Sequence, residues 1–537
     1  MAEAFNATDY LVDRQVRAGN GGRTAVVSPG RSLTYEELSG EVGRVAAGLR
    51  ALGVRPEERV LMCMVDDLEL FTSLLAVMRA GAIAVPCSTM LTGPELGTLV
   101  ADSRCRVVLG SSEFGPAVRG ALRDAPEVRH AVLTGDDLSG LPDHVEGRTW
   151  RRFLDAGAEA DAEADAEAGE PEPYTSWPES PALWLYTSGT TGKPKAAMHR
   201  HIDIKLVSEL YGQRVLDIGP EDRCLSVAKL FFAYGIGNSM FFPLSVGATA
   251  LLEPSRPSPD LFARRASEDG ATLLYGTPSF WGPLLASDVP DRAFATVRLG
   301  VSAGEALPPR MFHGMLERFG VEVLDGIGST EMLHIFVSNR AGHVHPGSSG
   351  TPVPGYDVEL RDPEGRLIEA MDEPGELYVR GESAAVGYWC RAETSRKVFL
   401  GEWMRTGDTY VRNGDGTYTC LGRTNDLLKA GGIWVSPTEV EERLLAHPDV
   451  AEVAVVGVPD ADDLDKPVAC VVAMPGGKVD PDDLIAWCRE GLASFKRPRG
   501  VVSLDELPKT ATGKIRRNVL RELARTEFQP EAREESG

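Results

Sequence analysis

The chain has 537 residues, which is room for three or four units at about 150 residues per domain. Its formal net charge is −23, from 56 basic and 79 acidic residues, and 43% of its residues are hydrophobic. An acidic chain lacks the broad basic face that general nucleic-acid binding needs, and the ordinary hydrophobic content excludes disorder as the dominant state. The composition therefore predicts a large folded protein that does not bind polyanions through a general surface.

The sequence also bears on the compartment. It lacks an N-terminal basic patch followed by an apolar stretch, and no run approaches the roughly 20 apolar residues of a membrane-spanning helix. Its eight cysteines lie far apart without a CxxC pair, which is typical of reduced thiols. We therefore expect a cytoplasmic protein with neither nucleic acid nor membrane as a partner.

The first part of the chain alternates helical and extended patterns. Helix-period segments at 35–52 and 68–80 are interleaved with short apolar runs at 59–64, 82–86 and 106–109. This alternation predicts βαβ units and a largely parallel sheet. The same rhythm resumes after residue 184.

An acidic insert interrupts this rhythm at residues 155–172, where Ala alternates with Asp or Glu and prolines follow. Low complexity of this kind predicts a solvated surface loop or a short frayed helix. The insert carries eight acidic residues, about a third of the net negative charge. The rest of the chain is therefore only moderately acidic.

The later part of the chain changes character twice. Glycine-rich alternating stretches between about 356 and 422 predict antiparallel hairpins, and a compact helix–strand segment follows. We predict a large α/β N-terminal domain at 1–424, with parallel-rich sheet subdomains and a β-rich subdomain at about 356–422. A small α+β C-terminal lid domain, predicted to be mobile, would span 425–537.

The strongest local signal is the segment YTSGTTGKPK at 186–195, directly after an apolar run. Its small residues let the backbone approach a ligand closely, its hydroxyls and amide groups can surround a polyphosphate, and its lysines add positive charge. It differs from the P-loop because only two residues separate its glycines and a proline follows its first lysine. The pattern predicts a loop that binds a nucleoside triphosphate.

This segment resembles the phosphate-loop signature of the adenylate-forming superfamily, which includes acyl-CoA synthetases, aryl-CoA ligases, adenylation domains and luciferases. Other segments resemble the remaining superfamily motifs, in order, over nearly the whole chain. They are LTYEEL at 33–38, RAGAIAVP at 79–86, GIGSTE at 326–331, GEL at 375–377 with GY at 387–388, RTGD at 405–408, GR at 422–423 and PKTATGK at 508–514. The chain is identified as a member of this superfamily.

The resemblance implies two half-reactions. An acid and MgATP give an acyl-adenylate and pyrophosphate, and a thiol then displaces AMP, so the implied cofactors are ATP, Mg²⁺ and coenzyme A. Thr330 and Glu331 correspond to positions that bind phosphate and magnesium, and magnesium prefers oxygen ligands such as a carboxylate. Lys514 corresponds to the catalytic lysine that bridges the substrate carboxylate and the α-phosphate, where negative charges converge.

The resemblance also implies the other nucleotide contacts. Asp408 corresponds to the acid that accepts both ribose hydroxyls, and Arg423 corresponds to a nucleotide-contacting arginine at the start of the hinge. The remaining positions belong to the phosphate loop and to the segments that line the adenine: Thr187, Ser188, Gly189, Thr190, Thr191, Lys195, Gly304, Glu305, Ala306, Asp325 and Gly326.

In the family the small domain rotates between the two half-reactions, presenting first the catalytic lysine and then a glycine loop. Here that loop spans 429–435, and Gly431 and Gly432 would line the tunnel for the thiol. Many relatives have Asp two residues after the motif arginine, where this chain has Asn425. Asn tolerates unusual backbone angles about as well as Asp, so we predict the hinge at Asn425.

The substrate side chains are expected from the segments at 229–238 and 332–336. The first segment has no Asp or Glu to pair with a substrate ammonium, which argues against an amino-acid substrate. Both segments closely resemble benzoate-CoA ligases, so the expected substrate is an aromatic carboxylic acid in a flat slot. The residues implied for this slot are Ala233, Tyr234, Ala303, Gly328, His334 and Ile335. We favour His334 as a neutral wall over a donor to a ring substituent.

Alternatives remain open at this point. Only a helix and a polar tail follow the last motif, so free CoA is the expected acceptor, with a separate carrier protein as the alternative. The segment GVSAG at 300–304 matches the nucleophile elbow of serine hydrolases, with Ser302 as nucleophile, but Leu307 and two prolines after it allow only a delayed helix. A non-catalytic nucleotide-binding scaffold is disfavoured because the chain retains the set of charged motif residues. The resemblance also allows a homodimer.

Overall fold

The computed structural model describes residues 3–164, 172–188, 194–424, 428–430, 433–459, 465–494, 496–509 and 515–527. The chain divides into two compact units. The larger unit comprises Met1–Val358 and Val379–Met404, and the smaller comprises Glu359–Tyr378 and Arg405–Gly537.

The β-strands are numbered in chain order. They are β1 (Thr24–Ser28), β2 (Arg31–Thr34), β3 (Arg59–Cys63), β4 (Ile83–Pro86), β5 (Val107–Gly110), β6 (His130–Leu133), β7 (Glu146–Thr149), β8 (Pro181–Ser188), β9 (Pro194–Arg200), β10 (Arg223–Ser226), β11 (Thr249–Leu251), β12 (Leu273–Gly276), β13 (Leu299–Ser302), β14 (Val323–Gly328), β15 (Ile335–Ser338), β16 (Thr351–Pro352), β17 (Asp357–Arg361), β18 (Leu367–Ile368), β19 (Gly375–Arg380), β20 (Phe399–Leu400), β21 (Trp403–Arg412), β22 (Tyr418–Arg423), β23 (Leu428–Ala430), β24 (Ile433–Val435), β25 (Val450–Pro459), β26 (Asp465–Ala473) and β27 (Gly500–Ser503).

The α-helices are numbered in the same way. They are α1 (Tyr35–Ala51), α2 (Leu68–Arg79), α3 (Gly93–Ser103), α4 (Gly115–Leu122), α5 (Trp150–Ala164), α6 (His201–Val207), α7 (Ala233–Ile236), α8 (Phe242–Val246), α9 (Pro259–Glu268), α10 (Pro278–Leu285), α11 (Pro309–Phe319), α12 (Ala392–Val398), α13 (Pro437–Leu445), α14 (Pro481–Gly491) and α15 (Arg517–Glu527).

Two mostly parallel sheets form the larger unit. One has the strand order β7-β6-β5-β3-β4-β8-β9 and is parallel except for the β8–β9 hairpin. The other has the order β16-β15-β14-β13-β12-β10-β11-β1-β2, with antiparallel pairs only at its two ends. Strands such as β4 and β5 are buried at every residue, as expected for parallel strands covered on both faces.

Helices cover both sheets and close the cores of the larger unit. Side chains of α3 and α4 pack with β3, β4 and β5, and side chains of α9, α10 and α11 pack with β10, β12 and β14. Helix α1 begins at a capping box, in which the Thr34 hydroxyl accepts from the Glu37 amide while the Glu37 carboxylate accepts from the Thr34 amide. In this unit, the capping signal in the sequence marks the start of a helix that the structure forms.

The smaller unit contains most residues of a six-stranded sheet, ordered β18-β17-β19-β21-β20 with β22 paired to β21, and a three-stranded sheet with its helices. Strands β25 and β26 pair antiparallel, and β27 joins β26 in parallel. Helices α13 and α14 cover one core of this unit, and α15 covers the other. The predicted fold class, a large α/β part with a small α+β C-terminal part, is confirmed. The predicted domain bounds at 1–424 and 425–537 stay a prediction.

Within the described ranges, no helix is both long enough and apolar enough to cross a bilayer.

The acidic insert is partly helical. Residues 155–164 continue α5, because Ala and Glu are good helix formers. This helix lies against α1 at unusually short range: a Cβ on Gly157 would lie 2.5 Å from the Gly48 amide nitrogen. Phe153, fully buried, fills the neighbouring space over Gly48. Of the two structures that the sequence allows here, helix is the one formed by the described residues.

This contact predicts opposite effects for two Gly→Ala substitutions. Gly157→Ala forces a methyl group into the backbone of α1 and should destabilise the larger unit by about 1–3 kcal/mol. Gly43→Ala in α1 meets open space and should stabilise it by about 0.5–1 kcal/mol. Urea unfolding followed by circular dichroism measures both. A Gly157→Ala midpoint as high as that of Gly43→Ala would contradict the packing.

Candidate active site

Three segments of the larger unit meet beside the β8–β9 hairpin. Lys195 lies on β9 opposite Thr187 on β8, so both residues flank the predicted phosphate loop. Residues 386–389 run along the other edge of β9: the Met198 amide donates to the Gly387 carbonyl at 3.0 Å, and the Trp389 amide donates to the Ala196 carbonyl at 3.0 Å. This pairing places the side chain of residue 388 next to that of residue 195.

A charged cluster results from this placement. The Lys195 ammonium donates to the Tyr388 hydroxyl at 2.6 Å and lies 3.5 Å from a Glu331 carboxylate oxygen. The Tyr388 hydroxyl donates to the same carboxylate at 2.5 Å. Burial, followed by the nearby Glu331 charge, raises the pKa of Tyr388, so its hydroxyl remains a donor. A cation, a hydroxyl and a carboxylate are thus held together at a partly exposed position.

The turn that carries Glu331 is held by its neighbours. Residues Thr330–Met332 form one short 3₁₀ turn, which Ser329 caps by accepting from the Met332 amide at 3.2 Å. The Ala385 amide donates to the Glu331 carbonyl at 2.8 Å. Leu333 ends the turn at φ 67°, a left-handed conformation that is rare for a bulky residue. Such strain persists only where surrounding contacts impose it.

The segments predicted to line the adenine also come together. Ser302 at the end of β13 pairs with Asp325 on β14, so Gly304, which follows β13, lies near Asp325 and Gly326. Gly304 adopts φ 97°, which favours glycine. Burial raises the pKa of the Asp325 carboxyl well above its ordinary range. Glu305 and Ala306 follow on the same connection.

The smaller unit holds the two other predicted nucleotide residues. Asp408 and Arg423 are paired across the β21–β22 hairpin, with Arg423 Nε 3.1 Å from the Asp408 carboxylate. The Thr406 hydroxyl accepts from the Asp408 amide at 3.0 Å, and the Thr406 carbonyl accepts from Arg423 at 3.1 Å. Gly407 between them has φ 76°. This turn presents one carboxylate and one half-exposed guanidinium together.

The predicted slot residues cluster around His334. Its ring lies 5.6 Å from that of Tyr234 and 4.5 Å, edge-on, from that of Phe242. The Tyr234 hydroxyl donates to the Val301 carbonyl at 2.9 Å, which brings Tyr234 to the end of β13, where Ala303 follows. Ala233, Ala303 and Ile335 are buried as well. The surroundings of His334 are therefore largely aromatic, with the buried Asn238 amide as a polar partner.

Close backbone packing explains why residue 328 is a glycine. A Cβ on this residue would lie 2.6 Å from the His334 carbonyl oxygen and 2.8 Å from the Ile335 amide nitrogen. The glycine thus permits the irregular β14–β15 pairing at this point. The resemblance implies Gly328 as a residue of the slot, whereas a side chain at this position would face the neighbouring strand.

His334 is held neutral. Burial in apolar surroundings lowers its pKa to about 3. Its Nε2 lies 3.1 Å from the Asn238 side-chain oxygen, and its Nδ1 has no hydrogen-bond partner among the described residues. The ring is therefore uncharged at neutral pH. Its role as a neutral wall of the slot, favoured over that of a donor to a ring substituent, stays a prediction.

Several predicted residues lie outside the described part of the chain. They are Gly189, Thr190 and Thr191 of the phosphate loop, Asn425 at the predicted hinge, Gly431 and Gly432 of the predicted thiol tunnel, and the predicted catalytic Lys514. Thr187 and Ser188 end β8 at the border of the phosphate loop.

The serine-hydrolase alternative finds no support in the geometry. Ser302 is the last residue of β13 and is fully buried, and its hydroxyl has no hydrogen-bond partner within the described ranges. The next helix begins only at Pro309, so the sharp strand–turn–helix of a nucleophile elbow is absent at this described segment.

Sequence reasoning missed residues that the structure brings to the site. Tyr388 had been matched to a motif but was assigned no role. His199 contacts the turn from behind, with its Nε2 2.8 Å from the Thr330 carbonyl oxygen, and Asp203 contacts His199. The sequence signal that could have identified His199 is the alternation along β9, which puts residues 195 and 199 on the same face of the strand.

The shifted pKa of His334 predicts how stability depends on pH. The folded ring stays neutral down to about pH 3, while the unfolded ring takes up a proton below its ordinary pKa of 6.5. Stability present above pH 6.5 is therefore lost as the pH falls, by up to about 1.4 kcal/mol per pH unit. Urea unfolding at pH 7, 6, 5 and 4 should show a steeper loss for the wild type than for His334→Gln. Parallel curves would contradict the assignment.

The chain matches two known protein families. The family "AMP-binding enzyme" matches residues 12–389, and "AMP-binding enzyme C-terminal domain" matches residues 439–514. The chain is 42% identical to benzoate–CoA ligase of Thauera aromatica, over 97% of this chain and 96% of the relative. It is 40% identical to 4-hydroxybenzoate–CoA/benzoate–CoA ligase of Rhodopseudomonas palustris, over 97% and 94%.

A solved structure agrees with these relatives. The anthranilate CoA ligase AuaEII in complex with anthranoyl-AMP superposes with a TM-score of 0.89 at 37% identity, covering 98% of each chain. The superfamily resemblance inferred from the ordered motifs is confirmed. The chain belongs to the AMP-binding enzyme family.

Proposed function

We propose that the chain is an AMP-forming aryl-CoA ligase that activates benzoate or a substituted benzoate. One observation carries the proposal: a single segment, residues 328–335, supplies both Glu331 of the charged cluster and His334 of the predicted slot. Its Glu331 faces Lys195 and Tyr388, and its His334 faces Tyr234. A phosphate-binding site and a site for a flat ring would therefore lie within a few residues of each other. The names of the relatives at 40–42% identity support this function.

The proposed reaction has two steps. In the first, a carboxylate oxygen of the acid attacks the α-phosphorus of ATP, and pyrophosphate leaves. In the second, the sulfur of CoA attacks the acyl carbon of the adenylate, the thiol proton is lost, and AMP leaves. No protein nucleophile is needed, so the side chains act by positioning and by neutralising charge.

In the larger unit, Lys195 would pair with the phosphates, and Thr330 would hydrogen-bond to them. The Glu331 carboxylate is partly exposed, and a single carboxylate plus substrate phosphates is a common magnesium donor set. Glu331 would therefore hold Mg²⁺, which neutralises phosphate charge when bound. The residues after Ser302 and those of β14 would line the adenine.

In the smaller unit, Asp408 would accept the ribose hydroxyls, since a carboxylate has two acceptor oxygens. Arg423 would contact the nucleotide. Lys514 is proposed as the lysine that neutralises the developing charge between carboxylate and α-phosphate. Asn425 would act as the hinge, and Gly431 and Gly432 would line the path of the CoA thiol.

The slot supports a ring without a charged substituent. The neighbours of His334 named above are aromatic rings and the uncharged Asn238 amide, and a buried charge without a partner is strongly unfavourable. The relatives named above are ligases of unsubstituted, hydroxylated and aminated benzoates. The substituent on the ring is therefore the property of the substrate that an experiment has to determine.

A substrate panel tests the function. Benzoate, 4-hydroxybenzoate, 2-aminobenzoate, cinnamate and octanoate are each supplied with MgATP and CoA, and AMP and the acyl-CoA are quantified by chromatography. We expect at least one benzoate to exceed cinnamate and octanoate in kcat/KM by about tenfold or more, which corresponds to ~1.4 kcal/mol of slot complementarity. A preference for octanoate, or release of ADP in place of AMP, would contradict the proposal.

Lys514→Ala serves as the control within this experiment. It should reduce benzoate-dependent pyrophosphate release by about 10²- to 10³-fold, because one charge-stabilising donor is lost. Formation of benzoyl-CoA from supplied benzoyl-AMP should be spared. Equal loss in both half-reactions would show that the lysine does not act selectively in adenylation.

A further inference from the structure

His199 and Asp203 form a fully buried pair behind the charged cluster. His199 lies on β9 and Asp203 on α6, and neither side chain is exposed to solvent. His199 Nδ1 lies 3.2 Å from the Asp203 carboxylate, and His199 Nε2 lies 2.8 Å from the Thr330 carbonyl oxygen. Both partner oxygens only accept hydrogen bonds, so both ring nitrogens donate: Nε2 to the Thr330 carbonyl and Nδ1 to the Asp203 carboxylate.

Asp203 is itself held in place. Its carboxylate accepts from the Arg200 amide at 2.9 Å and from the Arg200 guanidinium at 2.7 and 3.0 Å. A carboxylate with this many donors has little freedom to rotate, so it fixes the orientation of the imidazole that it contacts.

Two residues of strand β9 therefore contact the turn, one at Thr330 and the other at Glu331. Alternation along a strand puts Lys195 and His199 on the same face. Lys195 reaches the Glu331 carboxylate, and His199 reaches the Thr330 carbonyl. The first contact orients a side chain, whereas the second orients the backbone from which that side chain projects.

We propose that His199, oriented by Asp203, is a positioning residue that fixes the Thr330–Glu331 turn for MgATP; this inference rests on the function proposed above. Without the Nε2 donor, the Thr330 carbonyl would lose a buried partner, and the short turn before the left-handed Leu333 could relax. Displacements of about 1 Å at positioning groups can lower a rate by about 100-fold.

Two substitutions of His199 distinguish the roles of its two ring nitrogens. In His199→Gln, the amide nitrogen can take the place of Nε2 and still donate to the Thr330 carbonyl. In His199→Asn, the shorter side chain reaches only the place of Nδ1, so this donor is lost. We expect the calorimetric affinity for MgATP and the kcat of pyrophosphate release to fall in the order wild type, Gln, Asn. The fall for Asn should be about tenfold or more, with the KM for benzoate little changed.

His201→Gln is the matched control. His201 is equally buried two residues further on, but its Nδ1 accepts from the Ala7 amide at 3.0 Å, away from the turn. Its substitution should lower stability without lowering MgATP affinity. If His199→Asn does not fold, Asp203→Asn provides the second test, because it keeps the side-chain volume and removes the carboxylate; the same direction with a smaller fall is expected.

The outcomes are distinguishable. Wild-type MgATP affinity and pyrophosphate release in folded His199→Asn would overturn the positioning role, as would an equal loss in His201→Gln. If the wild type activates none of the acids, the proposed function fails. In that event the order of MgATP affinities among the variants still decides the positioning role.

Discussion

The edge of strand β9 is the feature on which the candidate site depends. Residues 386–389 hydrogen-bond along this edge, and the pairing brings the Tyr388 hydroxyl between the Lys195 ammonium and the Glu331 carboxylate. The direct contact between the ammonium and the carboxylate is 3.5 Å, a distance at which a partly hydrated pair is held loosely. The shared hydroxyl turns this contact into a fixed arrangement. Backbone pairing thus sets the geometry of the charged side chains.

The same strand links the charged cluster to the slot. His199 on β9 holds the Thr330 carbonyl, and three residues after Glu331 the chain reaches His334 among aromatic rings. A change in the turn would therefore move both the group proposed to hold magnesium and the wall proposed to contact the ring. The burial that keeps His334 neutral is consistent with the proposed slot for a ring without charge. The net charge of −23 says nothing about this local separation.

Much of the fold and part of the site were predictable from the sequence. The parallel-rich fold class followed from the alternation of short apolar runs with helix-period segments, and motif positions such as Lys195 and Glu331 lie together as the resemblance implied. The contact of His199 with Thr330 spans 131 residues and was not predictable, since a buried histidine on a strand looks the same whether or not it touches the site. The need for glycine at position 328 was not predictable either, because it depends on how closely the backbone of the neighbouring strand approaches. The helix at 155–164 needed the packing of Gly157 on α1 to be distinguished from a loop.

Chemical quench of a single turnover without CoA tests the central claim most directly. The enzyme is in excess over ATP labelled at the α-phosphate, and Mg²⁺ and benzoate are present. The account predicts one benzoyl-adenylate and one pyrophosphate formed per ATP consumed, with the adenylate retained until CoA is added. Addition of CoA should then convert the adenylate to AMP and benzoyl-CoA. Formation of ADP and phosphate, or consumption of ATP only when CoA is present from the start, would contradict it.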